Sequence, residues 1–248
     1  MLATAIHAGH DLRPAIQADM ALDDAVRLRE EDPFTDRLVA VGGSTVVVHR
    51  SRFEVDLNRA RSSAVYRTPD DAWGLDLWDH ALPEAEVGRS LQLYDSFYAR
   101  LGRTLDALAA RGAFVVLDVH SYNHRRNGAD EPPASVDDNP QVNVGTGSLD
   151  RDVWGHLVER FVHDLGERHV LGRRLDVREN VCFEGRELCR WVHERYWGTG
   201  CALALEFKKE FMDEWTGAVD LSHLEELRAA LASVVPALIG ELSCSAPR

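Results

Sequence analysis

Residues 115–122 read Val-Val-Leu-Asp-Val-His-Ser-Tyr. The β-branched apolar run from Val115 to Leu117 has the composition of a buried central strand in an α/β sheet. It ends in Asp118, His120 and Ser121. Open α/β sheets place their ligands at the C-terminal ends of such strands. A histidine there offers a neutral imidazole to a metal ion. It would serve equally well as a strand-end side chain bonded to backbone, so the surrounding sequence has to discriminate.

Upstream, residues 84–111 place apolar side chains at Leu91, Tyr94, Phe97, Leu101, Leu105 and Leu108. This 3/4 spacing predicts a long amphipathic helix closed by Gly112. Helix, glycine and buried strand in that order point to a βαβ unit and a parallel or mixed sheet. Residues 2–6 read as a short buried strand running into His7-Ala8-Gly9-His10, and Val46 to His49 as another. Ala202 to Phe207 is a further apolar strand, reaching Glu206. Residues 22–32 carry acids and apolar residues at helical spacing and end in Glu30-Glu31-Asp32-Pro33. A helix is expected over 151–168, with Trp154, Leu157, Val158, Phe161 and Leu165 on one face. Residues 221–242 are expected to close the chain as one or two helices interrupted at Pro236. Residues 123–150 hold turn formers and few large apolar residues, which predicts a long loop, and such loops in compact domains are usually functional. With no repeat, low-complexity segment or linker, the expectation is one α/β domain over 1–248, a mixed central sheet flanked by helices.

The chain has 248 residues, 45% of them apolar, and a net charge of -13. That charge disfavours sequence-independent binding to nucleic acid or anionic membrane, both of which need clustered Lys and Arg. The basic triplet His124-Arg125-Arg126 follows the His120 strand and reads as part of an anion-holding site. Cys182, Cys189, Cys201 and Cys244 form no CxxC pair and match no zinc ribbon. Cys201 is expected to pack as a small hydrophobe. No apolar run approaches the length of a membrane span, and the N-terminus lacks the pattern of a signal peptide. A cytoplasmic protein fits these features.

Three polar groups follow expected strands: His7 with His10, then His120, then Glu206. A catalytic zinc site takes about three His or Asp/Glu ligands and keeps one position open. His7 and His120 with one of His10, Glu30, Glu31 or Asp32 meet that requirement. Glu206 is then free to act as general base. A second constellation, Arg52-Phe53-Glu54-Val55-Asp56-Leu57-Asn58-Arg59, sets two arginines about a strand-like segment. Arginine pairs bidentately with carboxylate and asparagine adds a neutral donor, so Asn58 and Arg59, with Arg52, read as a substrate clamp. Asn143-Val144-Gly145-Thr146-Gly147 either presents backbone N–H groups to an anion or forms a glycine turn. Trp73, Trp78 and Trp215 are expected in the core or an interface.

The ordered set His7-Ala8-Gly9, Glu30-Glu31-Asp32, Val55-Asp56-Leu57-Asn58-Arg59, Asp118-Val119-His120-Ser121, Asn143-Val144-Gly145-Thr146 and Leu205-Glu206 resembles the N-formylglutamate amidohydrolase family. It is similar, more distantly, to zinc carboxypeptidases, through His7, Asn58-Arg59, His120-Ser121-Tyr122 and Glu206. The resemblance implies a zinc-peptidase, phosphorylase/hydrolase-like architecture and hydrolysis of an amide beside a carboxylate. It implies one Zn2+ per chain held by His7, His120 and an acid, with Asp32 completing the family pattern and His10 as the other candidate. It implies Glu206 as catalytic base. Asn58, Arg59, Arg52, Arg190, Asn143 and Thr146 are then substrate-binding candidates, Arg190 at a position resembling a family arginine. The expected substrate is a small N-acyl amino acid. The rivals are a metallo-carboxypeptidase or deacylase working on a larger substrate, and a non-catalytic binder of an acidic metabolite. The first metal block departs from the carboxypeptidase His-x-x-Glu, with His10 in the fourth place. Lys208-Lys209 and the segment to Gly217 also depart from the pattern, beside the expected pocket.

Overall fold

The computed structural model describes residues 1–242. Its strands are β1 (Leu2–Ala5), β2 (Ser44–Val47), β3 (Phe114–Tyr122), β4 (Val142–Gly145), β5 (His169–Val170), β6 (Arg173–Arg174), β7 (Val177–Glu179) and β8 (Gly200–Lys208). Its helices are α1 (Pro14–Ala18), α2 (Asp24–Glu30), α3 (Thr35–Leu38), α4 (Glu84–Ala109), α5 (Arg151–Gly166), α6 (Glu187–Arg195) and α7 (Leu221–Leu242). Six strands form one sheet in the order β2-β1-β3-β8-β4-β7, and β5 pairs with β6 apart from it. β1 lies parallel to β2 and to β3, and β3 parallel to β8. β4 runs antiparallel to β8 and parallel to β7, so the sheet is mixed and mostly parallel.

Every residue of β3 is buried. Successive side chains of a strand point to opposite faces, and both faces are covered here. Val115, Leu117 and Val119 pack into the layer that holds Trp154 and Phe161 of α5 and Leu231 and Leu238 of α7. Phe114 and Val116 pack against Tyr98, Leu101 and Leu105 of α4 and Leu188 and Val192 of α6. A strand covered on both sides has no polar alternation, which is why the run at 115–117 is continuously apolar.

Four local expectations change. The loop expected over 123–150 contains β4, a four-residue strand too short to show an alternating pattern. The helix expected over 22–32 stops at Glu30, and Glu31 is extended, releasing Asp32 and Pro33 from the helix. Residues 51–59 form turns, with no strand, and their polar side chains bond within the segment and to distant parts of the same chain. The segment 221–242 is one continuous helix through Pro236. Proline removes one helical hydrogen bond, but buried Leu231, Val234, Val235, Leu238 and Leu242 hold the helix on both sides of it.

Candidate active site

The site lies at the C-terminal ends of the parallel strands β1, β3 and β8. His7 stands two residues beyond β1, and His120 and Glu206 are register partners on β3 and β8. Asp32 follows α2, and its backbone N–H donates to the His7 carbonyl at 3.0 Å. The chain between His7 and His10 passes so close to β2's exit that a Cβ on Gly9 would sit 2.1 Å from the His49 carbonyl carbon. Only glycine permits that approach.

His7, Asp32 and His120 are buried and offer ligand atoms that all lie within 4.8 Å of one another. Oδ2 of Asp32 is 2.9 Å from Nδ1 of His120 and 3.4 Å from Nδ1 of His7. The second separation falls outside hydrogen-bond geometry, leaving His7 Nδ1 buried with no hydrogen-bond partner among the described residues. Each ring's other nitrogen is tied to a buried carboxylate. His7 Nε2 donates to Asp56 Oδ1 at 2.8 Å, and His120 Nε2 donates to Asp118 Oδ2 at 2.9 Å. Both carboxylates are themselves fixed: Thr4 Oγ1 donates to Asp118, and Tyr66 Oη and Arg52 donate to Asp56. Carboxylates behind the far nitrogens aim the near nitrogens and set their tautomer, the usual arrangement behind metal-ligating histidines.

The electrostatics suit a cation. Burial opposes charge on Asp32 and Asp56, yet the imidazoles at Asp32, and Arg52 with His7 at Asp56, hold both carboxyls below their ordinary range. Burial likewise opposes charge on His120, but Asp118 and Asp32 more than offset it and raise that ring well above its usual value. Burial, with Asp32 and Asp118 adding like charge, pushes the Glu206 carboxyl up to about 7 against the pull of His120 and His7. Glu206 is partly exposed to a cavity of about 140 Å³ that also meets His7, Asp32 and His120.

Asn58 and Arg52 line this cavity, as do Trp73, Arg126, Arg186 and Lys209. Asn58 accepts a hydrogen bond from Leu188 N–H through Oδ1 and presents its amide nitrogen 3.3 Å from His120 Nε2. Arg59 lines an adjoining cavity of about 520 Å³, which shares Asn58 and Arg186 with the first. Its guanidinium lies over Tyr66, 4.5 Å from the ring centroid. Arg190 also faces the adjoining cavity, where Glu187 and Glu194 pair with it.

His10 stands apart from the three ligand candidates. Its ring lies 2.5 Å from Glu31 and 2.9 Å from Arg27, and it is 38% exposed. Asn143 is turned to structural work: Oδ1 accepts from Val181 and Cys182 N–H, and Nδ2 donates to the Phe183 carbonyl. Thr146 bonds Asn180 and Glu179 in the same corner. Of the basic triplet, Arg126 reaches the cavity, whereas the His124 and Arg125 backbones are held by buried Glu214. Trp73, expected in the core or an interface, is 48% exposed and forms part of the cavity wall.

Sequence reasoning missed three contributors. Asp56 and Asp118 lay inside the quoted motifs, and their spacing of one turn or one strand period from a site residue was an available signal. Arg186 had no such signal, since neither its turn nor its neighbours carry a pattern.

A search of curated protein sequences finds no match to the chain. Among solved structures, the N-formylglutamate amidohydrolase of Ralstonia eutropha JMP134 superposes with a TM-score of 0.73 at 17% identity, covering 98% of this chain and 93% of that one. A gene product of Agrobacterium tumefaciens gives a TM-score of 0.63 at 19% identity, covering 99% and 89%. A metallo-carboxypeptidase from Burkholderia cenocepacia is more remote, with a TM-score of 0.42 at 14% identity, covering 97% and 57%. The fold is that of the first two. The family model for N-formylglutamate amidohydrolase matches residues 1–212, which take in the whole histidine–carboxylate cluster and Glu206. The chain therefore belongs to the N-formylglutamate amidohydrolase family, a family of amide-bond hydrolases.

Proposed function

We propose that the protein is a zinc-dependent amidohydrolase acting on a small, carboxylate-bearing N-acyl amino acid of the N-formylglutamate kind. The observation that carries this reading is the convergence of His7 Nδ1, His120 Nδ1 and the Asp32 carboxylate, each imidazole being held from behind by a buried carboxylate. Two imidazoles and one carboxylate are a donor set of catalytic zinc, one ion per chain. The unpartnered His7 Nδ1 supports the fit, because a buried ring nitrogen without a hydrogen bond has a ligand's role still open to it. Zinc, when bound, supplies Lewis acidity toward an amide carbonyl and toward water.

The protein's own groups account for the remaining steps. Glu206 makes no hydrogen bond within the described residues and faces the cavity, so its carboxylate is free to take a proton from water and return it to the leaving nitrogen. Arg126 and Arg186 line that cavity, have no carboxylate partner among the described residues, and suit the substrate's carboxylate. Asn58 and Arg52 line the same cavity. A volume of about 140 Å³ holds roughly five waters at ~30 Å³ each, which suits a small substrate. The adjoining 520 Å³ cavity, with Arg59, favours the rival substrate, a longer acylated peptide. A cytoplasmic setting accords with Cys182, Cys189 and Cys201 standing as free thiols; Cys244 lies outside the described residues.

The test is a screen of N-acyl amino acids and short N-acyl peptides against zinc-loaded and chelated protein. Turnover of N-formylglutamate-like compounds by the loaded form alone is expected. Turnover of peptides alone would move the assignment to a larger substrate. Tight zinc binding without turnover would leave a binder of acidic metabolites.

A further inference from the structure

The chain carries 28 basic Lys and Arg residues, and 26 of them are arginine. The two lysines are adjacent, Lys208 and Lys209, at the end of the strand that carries Glu206. Both are buried. The sequence uses arginine at every other basic position, the buried Arg27 among them, and keeps lysine at these two. At Lys209 the reason is geometric. Lys209, 1% exposed, directs Nζ at three oxygens: the Arg29 carbonyl at 2.6 Å, the Glu31 carbonyl at 2.7 Å and Asn123 Oδ1 at 2.9 Å. One tetrahedral ammonium donates to three convergent acceptors, whereas a planar guanidinium spreads its donors over a fork.

Two of those acceptors belong to the segment that ends in Asp32. The peptide joining Glu31 to Asp32 is thus gripped on both sides, its carbonyl by Lys209 and its N–H by the His7 carbonyl at 3.0 Å. Thr35 Oγ1 donates to the Asp32 carbonyl at 2.6 Å and fixes the following peptide. The third acceptor, Asn123, stands three residues after His120. The ammonium therefore joins the Asp32 segment and the exit of β3 to the end of β8. Lys208 points elsewhere, to the Asn139 carbonyl and Glu210, and touches neither segment.

We infer that Lys209 is a positioning residue for the metal site, holding the Asp32 carboxylate in the place where it meets both imidazoles. This rests on the metal-dependent reading above. Positioning and charge predict opposite signs. A fixed positive charge beside a cation site repels the cation, so removing it would tighten zinc if charge dominated. If position dominates, removing it weakens zinc.

The experiment measures zinc affinity of the full chain by competition with a chromophoric chelator, and melting of the metal-free protein, for wild type, Lys209→Met, Lys209→Arg and Lys208→Arg. Lys209→Met and Lys209→Arg are expected to bind zinc about 10- to 100-fold more weakly, the range for lost outer partners of metal ligands. Lys208→Arg should keep wild-type affinity. If Lys209→Met does not fold, Asn123→Ala removes one acceptor from the same ammonium and should weaken zinc by a smaller factor. Unchanged or tighter zinc binding in a folded Lys209 variant, or in Asn123→Ala where neither Lys209 variant folds, overturns the inference. A wild-type chain that binds no zinc refutes the metal-dependent reading instead.

Discussion

His120 Nε2 and Asp118 Oδ2 lie 2.9 Å apart, two residues removed on one strand. The strand period of two puts both side chains on the same face, so the backbone alone sets the imidazole at a fixed distance from its carboxylate. Asp118→Asn keeps the shape and removes the charge that fixes the tautomer. Zinc affinity should fall by about 10- to 100-fold, read by chelator competition. Wild-type affinity in a folded Asp118→Asn chain would mean that Asp118 only fills space.

Asp32 and His10, the two candidates for the third ligand, have different surroundings. Asp32 meets both imidazoles, while His10 is occupied by Glu31 and Arg27. Asp32→Asn is expected to release zinc and His10→Ala to retain it, with metal content measured on purified protein. The reverse pattern would move the site to the His7 and His10 pair.

Glu206 faces the cavity without being one of the three clustered ligand candidates. Glu206→Gln should therefore keep zinc while kcat falls by about 100-fold or more, the scale of a lost general base. Loss of metal together with activity would recast Glu206 as a ligand.

Two arginines of the adjoining cavity make a matched pair. Arg190 is already neutralised by Glu187 and Glu194, whereas Arg186 has no ion pair among the described residues and reaches both cavities. Arg186→Ala should raise KM for a carboxylate-bearing substrate more than it lowers kcat, the signature of lost uniform binding. Arg190→Ala should leave KM nearly unchanged. Equal effects of the two substitutions would show that field, not contact, governs binding.

His193 gives a pH-dependent stability. Its Nε2 accepts the Ala202 N–H at 2.9 Å, so the ring is neutral, and burial pushes it down to about 4. The unfolded ring binds its proton near 6.5, so between these values the unfolded state holds more protons and stability rises with pH. The contribution is complete above about pH 6.5 and is lost as pH falls toward 4. At 1.36 kcal/mol per unit it amounts to roughly 3 kcal/mol. Denaturant unfolding of wild type and His193→Gln from pH 7 to 4 should show the wild type losing about that much more. Parallel curves would contradict it.

Much of the site was legible because local chemistry marks it. An apolar run ending in Asp118 and His120, a short strand running into His7, and another reaching Glu206 each announce a strand whose end turns polar. The order of strands and helices announced the mixed sheet in the same way. Chain order alone could not show that β4 inserts between β8 and β7, antiparallel to the first and parallel to the second, because Val142–Gly145 is four residues long and is specified by its neighbours on either side. Nor could it show that α7 runs unbroken through Pro236, since that depends on burial along the helix and not on propensity.

The sequence by itself determined which residue types stand at the strand ends, since apolar periodicity and its abrupt termination are local properties of the chain. Tertiary structure alone decided which of them meet. Asp32 rather than His10 joins His7 and His120 because α2 stops at Glu30 and the released peptide is gripped by His7 and Lys209. Arg186 lines the cavity beside His7 and His120, whereas Arg190, paired with Glu187 and Glu194, lines only the adjoining one. The Arg190 pairs are local helix contacts, but the meetings of His7 with His120 and of Lys209 with Glu31 join segments more than a hundred residues apart, and no local pattern encodes those.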